Sequence, residues 1–158
     1  MSAYADFFIR HGDEFIPVGD FSRNSIIYSL VNDYAPWEKI TPLTVDMLSN
    51  LVNKAEAKKQ DALRMVRVEK ERIERVKDFN NSIEDKLEVI HGYEEAIEEW
   101  QQDAKEARYA KHYFGFLIDL IDAVRYGEHN KGVNINEYVY VGIEIGCPTV
   151  KDISKYEE

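Results

Sequence analysis

The sequence has a single cysteine and only four prolines, and both shortages restrict what the chain can be. Cys147 has no second cysteine to pair with, which excludes an intramolecular disulfide and a thiolate metal cluster and favours a reducing compartment. No proline lies between Pro42 and Pro148, so the residue that most disrupts helices is missing from that interval. The chain therefore has room for long, uninterrupted helices.

Long apolar runs and familiar catalytic motifs are missing as well. No apolar run approaches the roughly 20 residues that a membrane span requires, and residues 1–10 lack the basic and apolar regions of a signal peptide. Motifs for phosphate binding, dinucleotide binding, zinc proteolysis and a nucleophile elbow do not occur. We therefore expect a cytoplasmic protein without metal or cofactor that acts by binding and not by catalysis.

The composition is that of a folded, acidic protein. An apolar fraction of 44% in 158 residues is enough for one domain with a real core. The 30 acidic and 20 basic residues give a net charge of -10. Because negative charge is repelled by nucleic acid and by anionic membranes, we expect direct binding to neither, and favour a basic protein as partner.

The proline-free interval contains two segments with heptad-like apolar spacing, which predicts two long helices. Thr41 can cap the first helix and Pro42 fits its first turn. Asn80-Asn81-Ser82 favours a turn, and so short a turn predicts an antiparallel helical hairpin over residues 41–126. The seam positions are Leu48, Val52, Ala55, Lys59, Ala62, Val66, Glu69, Ile73 and Val76, followed by Ile90, Tyr93, Ile97, Trp100, Ala104, Ala107, Lys111, Phe114, Ile118 and Ile121.

The two ends of the chain predict strands. Residues 1–40 are typical of a β-hairpin followed by a short helix, and Pro17 makes the second strand an edge or bulged strand. Residues 137–146 alternate cleanly and predict a strand that joins this hairpin. We therefore expect a single α+β domain over residues 1–158. In it a long antiparallel, coiled-coil-like helical hairpin packs on a small antiparallel sheet, with its turn projecting as an arm.

Charge is divided between the two predicted helices. Nine basic and five acidic residues lie between Lys54 and Lys77, a net of +4, whereas nine acidic and two basic residues lie between Glu84 and Glu106, a net of -7. Opposite signs favour the pairing of these helices, although each exposed pair contributes only about 0.2–1 kcal/mol. The acidic ridge consists of Glu94, Glu95, Glu98, Glu99, Asp103 and Glu106.

Two interpretations of the acidic ridge remain open. It is either a solvated helix face, partly neutralised by the basic helix, or a surface that imitates the phosphate backbone and docks into a cationic groove. A second candidate surface is formed by Tyr138 and Tyr140, which alternate with the aliphatic residues of the last strand. Tyrosine is enriched in binding surfaces, so we expect this face to be displayed to solvent and to contact a second copy of the chain or a small ligand. Packing of this face under a loop is an equally ordinary alternative.

Two other groups of residues resemble fragments of metal or acid–base sites. Glu88 and His91 have the spacing found in di-metal helical bundles, but no second such pair occurs. Asp119 and Asp122 share a helix face. For both groups we expect ordinary surface residues.

In its size, acidity, concentrated helix charge and lack of catalytic motifs, the chain resembles the small phage-encoded inhibitors of host defence, the anti-CRISPR proteins among them. The resemblance implies a non-enzymatic protein that blocks a basic, nucleic-acid-handling host protein such as a guided nuclease. Two alternatives remain: a coiled-coil structural or assembly protein, and an oligomer that binds a small ligand such as a nucleotide.

Overall fold

The computed structural model describes residues 4–127 and 133–145. Within them the chain forms four strands, three helices and a short 3-10 helix at Ile135–Glu137. In chain order the strands and α-helices are β1 (Tyr4–His11), β2 (Glu14–Ser22), α1 (Ile26–Val31), β3 (Ile40–Leu43), α2 (Val45–Val76), α3 (Ile83–Tyr126) and β4 (Val139–Ile143). Cys147 and the last position of the predicted C-terminal strand lie outside the described residues.

The strands form one antiparallel sheet in the order β2-β1-β4-β3. The β1–β2 hairpin turns at Gly12, whose φ of 63° suits a residue without a Cβ. Pro17 lies on the edge strand β2 opposite Phe8, where the register of the pair shifts. The prediction of an edge or bulged strand at Pro17 is therefore confirmed.

The predicted start of the first long helix is wrong. Thr41 and Pro42 belong to β3 and pair with β4, opposite Val141 and Tyr140. The helix begins at Val45, and the Thr44 hydroxyl caps it by accepting a hydrogen bond from the backbone N–H of Met47 at 3.2 Å. β3 is an edge strand, so its proline does not interrupt a central ladder.

The helical hairpin itself is confirmed. Helix α2 has 32 residues and α3 has 44, and residues 77–82 connect them. Every predicted seam position is buried or half-buried, including the polar Glu69, which is 4% exposed. The fold class is thus α+β as expected, with two long helices packed together and a sheet that has one more strand than predicted.

Two compact units make up the chain. Among the described residues the first comprises 4–54, 110–127 and 133–145, and the second comprises 55–109, so each long helix contributes to both. In the first unit, Tyr113 of α3 packs edge-on against Phe7 of β1 and Phe21 of β2, with ring centroids 5.2 and 4.7 Å away. The Tyr113 hydroxyl donates a hydrogen bond to the carbonyl of Val18. The second unit contains the turn and the part of the seam nearest to it, from Ala55 to Val76 on α2 and from Ile90 to Ala107 on α3, and the single-domain expectation stays a prediction.

Candidate protein interface

Helix α3 places all six carboxylates of the acidic ridge in solvent. The burial pattern of the helix explains this, because Ala104 and Ala107 of the seam are buried while Asp103 and Glu106 beside them are exposed. A helix whose apolar positions follow a heptad spacing leaves the opposite positions to water. The exposed members are Glu94, Glu95, Glu98, Glu99, Asp103 and Glu106.

Two of these carboxylates have partners on the same helix. Glu95 is 3.0 Å from the Nε2 atom of His91, one turn earlier. Glu106 accepts a hydrogen bond of 3.4 Å from the side-chain amide of Gln102. The other four form no ion pair or side-chain hydrogen bond within the described part of the chain; they are Glu94, Glu98, Glu99 and Asp103.

The basic helix does not neutralise those four carboxylates. Instead, several cations of α2 pair with carboxylates one turn away on α2 itself: Lys59 with Glu56, Arg64 with Asp61, and Arg72 with Glu69. Opposite charge on the two helices therefore does not produce direct ion pairs at the centre of the ridge.

Like charges within the ridge repel one another. Glu94 and Glu98 are four residues apart, as are Glu95 and Glu99, and each such pair destabilises a helix by about 0.2–0.5 kcal/mol. This cost is small, and of these four carboxylates only Glu95 has a partner, the imidazole of His91, within the described residues. A cationic surface placed against the ridge would remove the cost.

The two weaker candidates do not assemble into a chemical site in the described residues. His91 faces Glu95, one turn further along α3, and both side chains are well exposed. Asp119 is exposed and Asp122 is half-buried. Across residues 4–127 and 133–145, no group of three or more His, Cys, Asp and Glu side chains is arranged to hold a metal ion.

The expectation that Tyr140 is displayed to solvent is wrong. Tyr140 is only 3% exposed, its ring lies 5.1 Å from that of Phe15, and its hydroxyl accepts a hydrogen bond from Arg10. It belongs to a small core on the second face of the sheet. The members of that core are Phe8, Phe15, Ile40, Tyr140 and Ile145. Both faces of β4 are therefore covered by this chain, and all five β4 residues are buried.

Tyr138 lies in a different environment from Tyr140. It is half-buried, and burial raises the pKa of its phenol. With Arg10, Asn134 and Glu137 it lines a cavity of about 310 Å³. Sequence reasoning missed Arg10 here, because the contact between the start of the chain and the 3-10 helix depends on the pairing of β1 with β4.

Sequence reasoning also missed an apolar surface at the turn of the hairpin. Phe79, Ile83 and Leu87 are all outside the predicted seams and are all exposed. Phe79 and Leu87 lie off the heptad spacing, whereas Ile83 continues it seven residues before Ile90, so only the first two carried a sequence signal of an apolar surface that the seam does not use.

None of the helices in the described residues combines the length and the apolar character needed to cross a membrane. The chain matches no protein-family model, no curated protein and no solved structure.

Proposed function

We propose that this protein is a non-enzymatic binding module whose acidic ridge docks on a basic surface of a partner protein. The observation that carries the proposal is that Glu94, Glu98 and Glu99 lie exposed on one helix without a partner in the described residues. Carboxylates repeated at this spacing present an extended line of negative charge. Such a line complements a groove lined with lysine and arginine.

The chemistry of the ridge favours partners that handle nucleic acids. Their binding grooves are cationic because they neutralise phosphates, and an acidic helix can occupy the same groove. Inhibition by occlusion is the specific form of this proposal, in keeping with the resemblance to phage-encoded inhibitors of host defence. In this proposal the protein acts in the cytoplasm, where its single cysteine would stay reduced.

A charge-reversal experiment tests the proposal. Glu94→Lys, Glu98→Lys and Glu99→Lys are combined in one ridge variant. A matched control variant carries Glu14→Lys, Asp33→Lys and Asp119→Lys, which are exposed acidic residues outside the ridge and give the same change in net charge. The wild-type protein and both variants are used as baits on lysates, and captured proteins are identified by mass spectrometry and then purified for direct binding measurements.

The expected result is a basic partner that binds the wild type and the control variant but not the ridge variant. Its affinity should fall steeply as salt is raised, since the contact is electrostatic. Equal capture by the ridge variant and the wild type would contradict the proposal. The proposal would also be contradicted if no captured protein bound the control variant more strongly than the ridge variant. Circular dichroism of all three proteins checks that the helices are retained.

A further inference from the structure

The cavity beside Tyr138 has a volume of about 310 Å³ and belongs entirely to the first compact unit. Its lining residues are Arg10, Gly12, Val133, Asn134, Glu137 and Tyr138. None of them is part of the acidic ridge. The volume is at the lower end of the roughly 300–1,000 Å³ typical of small-molecule sites, so the cavity suits a small molecule.

Arg10 supplies a positive charge that is held in place. Its Nε atom donates a hydrogen bond to the carbonyl of Gly12, and its Nη1 atom donates to the hydroxyl of Tyr140, both at 3.2 Å. The guanidinium also lies 5.4 Å from the centre of the Phe15 ring, which is a cation–π contact. Because a guanidinium carries five N–H donors, it can keep these contacts and also bind a carboxylate.

The 3-10 helix positions the opposite wall of the cavity. The backbone N–H of Arg10 donates to the carbonyl of Tyr138 at 2.8 Å, which fixes the end of this helix to β1. Asn134 caps the helix by accepting a hydrogen bond from the backbone N–H of Asn136, and the backbone N–H of Glu137 donates to the carbonyl of Asn134. The backbone that carries Glu137 and Tyr138 is therefore fixed relative to Arg10.

Two polar side chains of this wall have no partner in the described residues. Neither the Glu137 carboxylate nor the Tyr138 hydroxyl forms an ion pair or a side-chain hydrogen bond there. Arg10 and Glu137 therefore line one cavity with opposite charges that do not pair with each other. A simple anion in the cavity would be attracted by one of these groups and repelled by the other, and so would a simple cation. A molecule that carries both charges would be attracted by both groups.

We propose that this cavity binds a small zwitterion, a free α-amino acid. The carboxylate of the amino acid binds the Arg10 guanidinium and accepts a hydrogen bond from the Tyr138 hydroxyl, while its ammonium binds the Glu137 carboxylate. Each contact between charged groups is about 2.7–2.9 Å long, so a zwitterion can bridge two side chains that do not reach one another. The proposal uses no residue of the acidic ridge and is independent of the proposed function.

The ligand class is tested first on the wild-type protein. Ligand-observed NMR with the standard L-amino acids, each present singly at about 1 mM, should identify at least one that binds with a dissociation constant below about 1 mM. The N-acetyl derivative of that amino acid lacks the ammonium, and its amide derivative lacks the carboxylate. Each derivative should bind about tenfold more weakly, because contacts between charged groups are the strong ones. The proposal would be overturned if no amino acid bound in this range, or if either derivative bound as tightly as its parent.

Glu137→Gln tests the ammonium contact with little effect on the fold, because this side chain is exposed and has no partner in the described residues. The variant should bind the free amino acid about tenfold more weakly but bind the N-acetyl derivative as wild type does, since the derivative has no ammonium to lose. Glu88→Gln is the control, at an exposed glutamate of α3 outside the cavity, and should bind both molecules as wild type does. An unchanged affinity of Glu137→Gln for the amino acid, or an equal loss for both molecules, would refute the assignment.

Arg10→Gln tests the carboxylate contact in the same way. The variant should bind the free amino acid about tenfold more weakly and bind the amide derivative as wild type does, with circular dichroism checking that the fold is retained. An equal loss for the amino acid and its amide would show that Arg10 acts through the structure of the cavity and not through the carboxylate, which contradicts the proposal. The Glu137→Gln series decides the proposal if Arg10→Gln does not fold, because it uses a side chain that makes no contact within the described residues.

Discussion

Asp6 lies in β1 directly opposite Asp20 of β2, and this pair of carboxylates is an unusual feature for neighbouring strands. The Oδ2 atom of Asp6 is buried and has no hydrogen-bond partner in the described residues. Burial, and to a smaller extent the charge of Asp20, raises the pKa of Asp6 from 3.8 to about 6. Between these two pH values the folded protein therefore holds a proton on Asp6 that the unfolded chain releases.

The sign of the resulting pH dependence follows from that difference. Between the unfolded pKa of 3.8 and the folded pKa of about 6, the stability of the protein falls as pH rises, and above this window it stays at the lower level. Asp6→Asn should therefore raise the free energy of unfolding near pH 8 by about 1 kcal/mol, a figure reduced for the partial exposure of the group. Near pH 4 the gain should vanish. Urea unfolding at both pH values measures it, and an equal effect at the two would contradict the argument.

Gly19 is a position where the side chain of another residue leaves no room for a Cβ. A Cβ there would collide with the Tyr113 hydroxyl and lie 3.2 Å from the ring of Phe21. Tyr113 cannot move aside freely because it packs against Phe7 and Phe21 and donates to Val18. We expect Gly19→Ala to destabilise the fold by about 1–3 kcal/mol, as overpacking does.

Gly92 provides the matched control for Gly19, since nothing lies within 4 Å of a Cβ built there on α3. Gly92→Ala should stabilise the protein by about 0.5–1 kcal/mol through helix propensity. Thermal unfolding of the two variants compares them directly. The collision at residue 19 would be refuted if both alanines shifted the midpoint in the same direction.

At the scale of the single element, α2 contains a buried carboxylate in a mostly apolar seam. Glu69 is 4% exposed and is held 2.8 Å from the Nη1 atom of Arg72, one turn away. Removing only the arginine leaves the carboxylate buried without its cation, so Arg72→Ala should cost about 1–3 kcal/mol. Arg67→Ala, at an exposed arginine of α2 without a described partner, should stay within about 0.5 kcal/mol of wild type.

Replacing Glu69 itself tests whether the stability of the hairpin depends on the ion pair or on apolar packing in the seam. Glu69→Leu removes the buried charge and extends the apolar seam, so the free energy of unfolding should be equal to or above that of wild type. Guanidinium unfolding of the arginine and glutamate variants measures both effects. A loss of stability in Glu69→Leu as large as that in Arg72→Ala would mean that the ion pair itself stabilises the hairpin.

The elements that could be predicted from the sequence are those with local signals. Heptad spacing was sufficient for both long helices, and the β-hairpin expected within residues 1–40 is the β1–β2 hairpin. The first helix start was misplaced because Thr41-Pro42 and Thr44 carry the same capping chemistry. What decides between them is the pairing of β3 with β4, a contact between residues about a hundred positions apart that no local pattern contains.

The second face of β4 shows that the candidate sites, too, depend on contacts between distant residues that a local sequence pattern does not contain. Alternation predicted correctly that Tyr140 points away from the aliphatic residues of its strand, but not what lies on that side. Phe8 alternates against Phe7 in β1, so the hairpin also has an apolar second face, and the pairing of β1 with β4 brings Phe8 beside Tyr140. Exposure of the acidic ridge was more predictable, because it follows from the seam on the same helix.

At the scale of the whole molecule, charge is distributed at a cost to stability. The net charge is -10, and its densest part is the acidic ridge, where four carboxylates lack partners in the described residues. A surface kept for binding a cationic partner is expected to be less than optimal for the isolated protein, since binding residues are selected for the complex. The proposed function therefore predicts a change in the stability of the isolated protein, which can be measured before the partner is known.

The ridge variant should therefore be at least as stable as wild type when the protein is alone. Its three Glu→Lys changes each add two charges, so the net charge rises from -10 to -4. A lysine at position 99 is also attracted to Glu95 and Asp103, each four residues away, whereas positions 94 and 98 still carry like charges. Thermal unfolding should give a higher midpoint than wild type at about 20 mM salt and a smaller difference at about 500 mM, where charges are screened.

In this measurement the control variant distinguishes the effect of replacing the ridge carboxylates from the effect of changing the net charge. It carries the same net charge but leaves the ridge intact, so its midpoint should rise less than that of the ridge variant at low salt. A ridge variant less stable than both the control and the wild type would mean that these carboxylates stabilise the fold. That outcome would remove the physical basis for assigning them to a partner, because residues that the isolated protein already needs require no second protein to explain them.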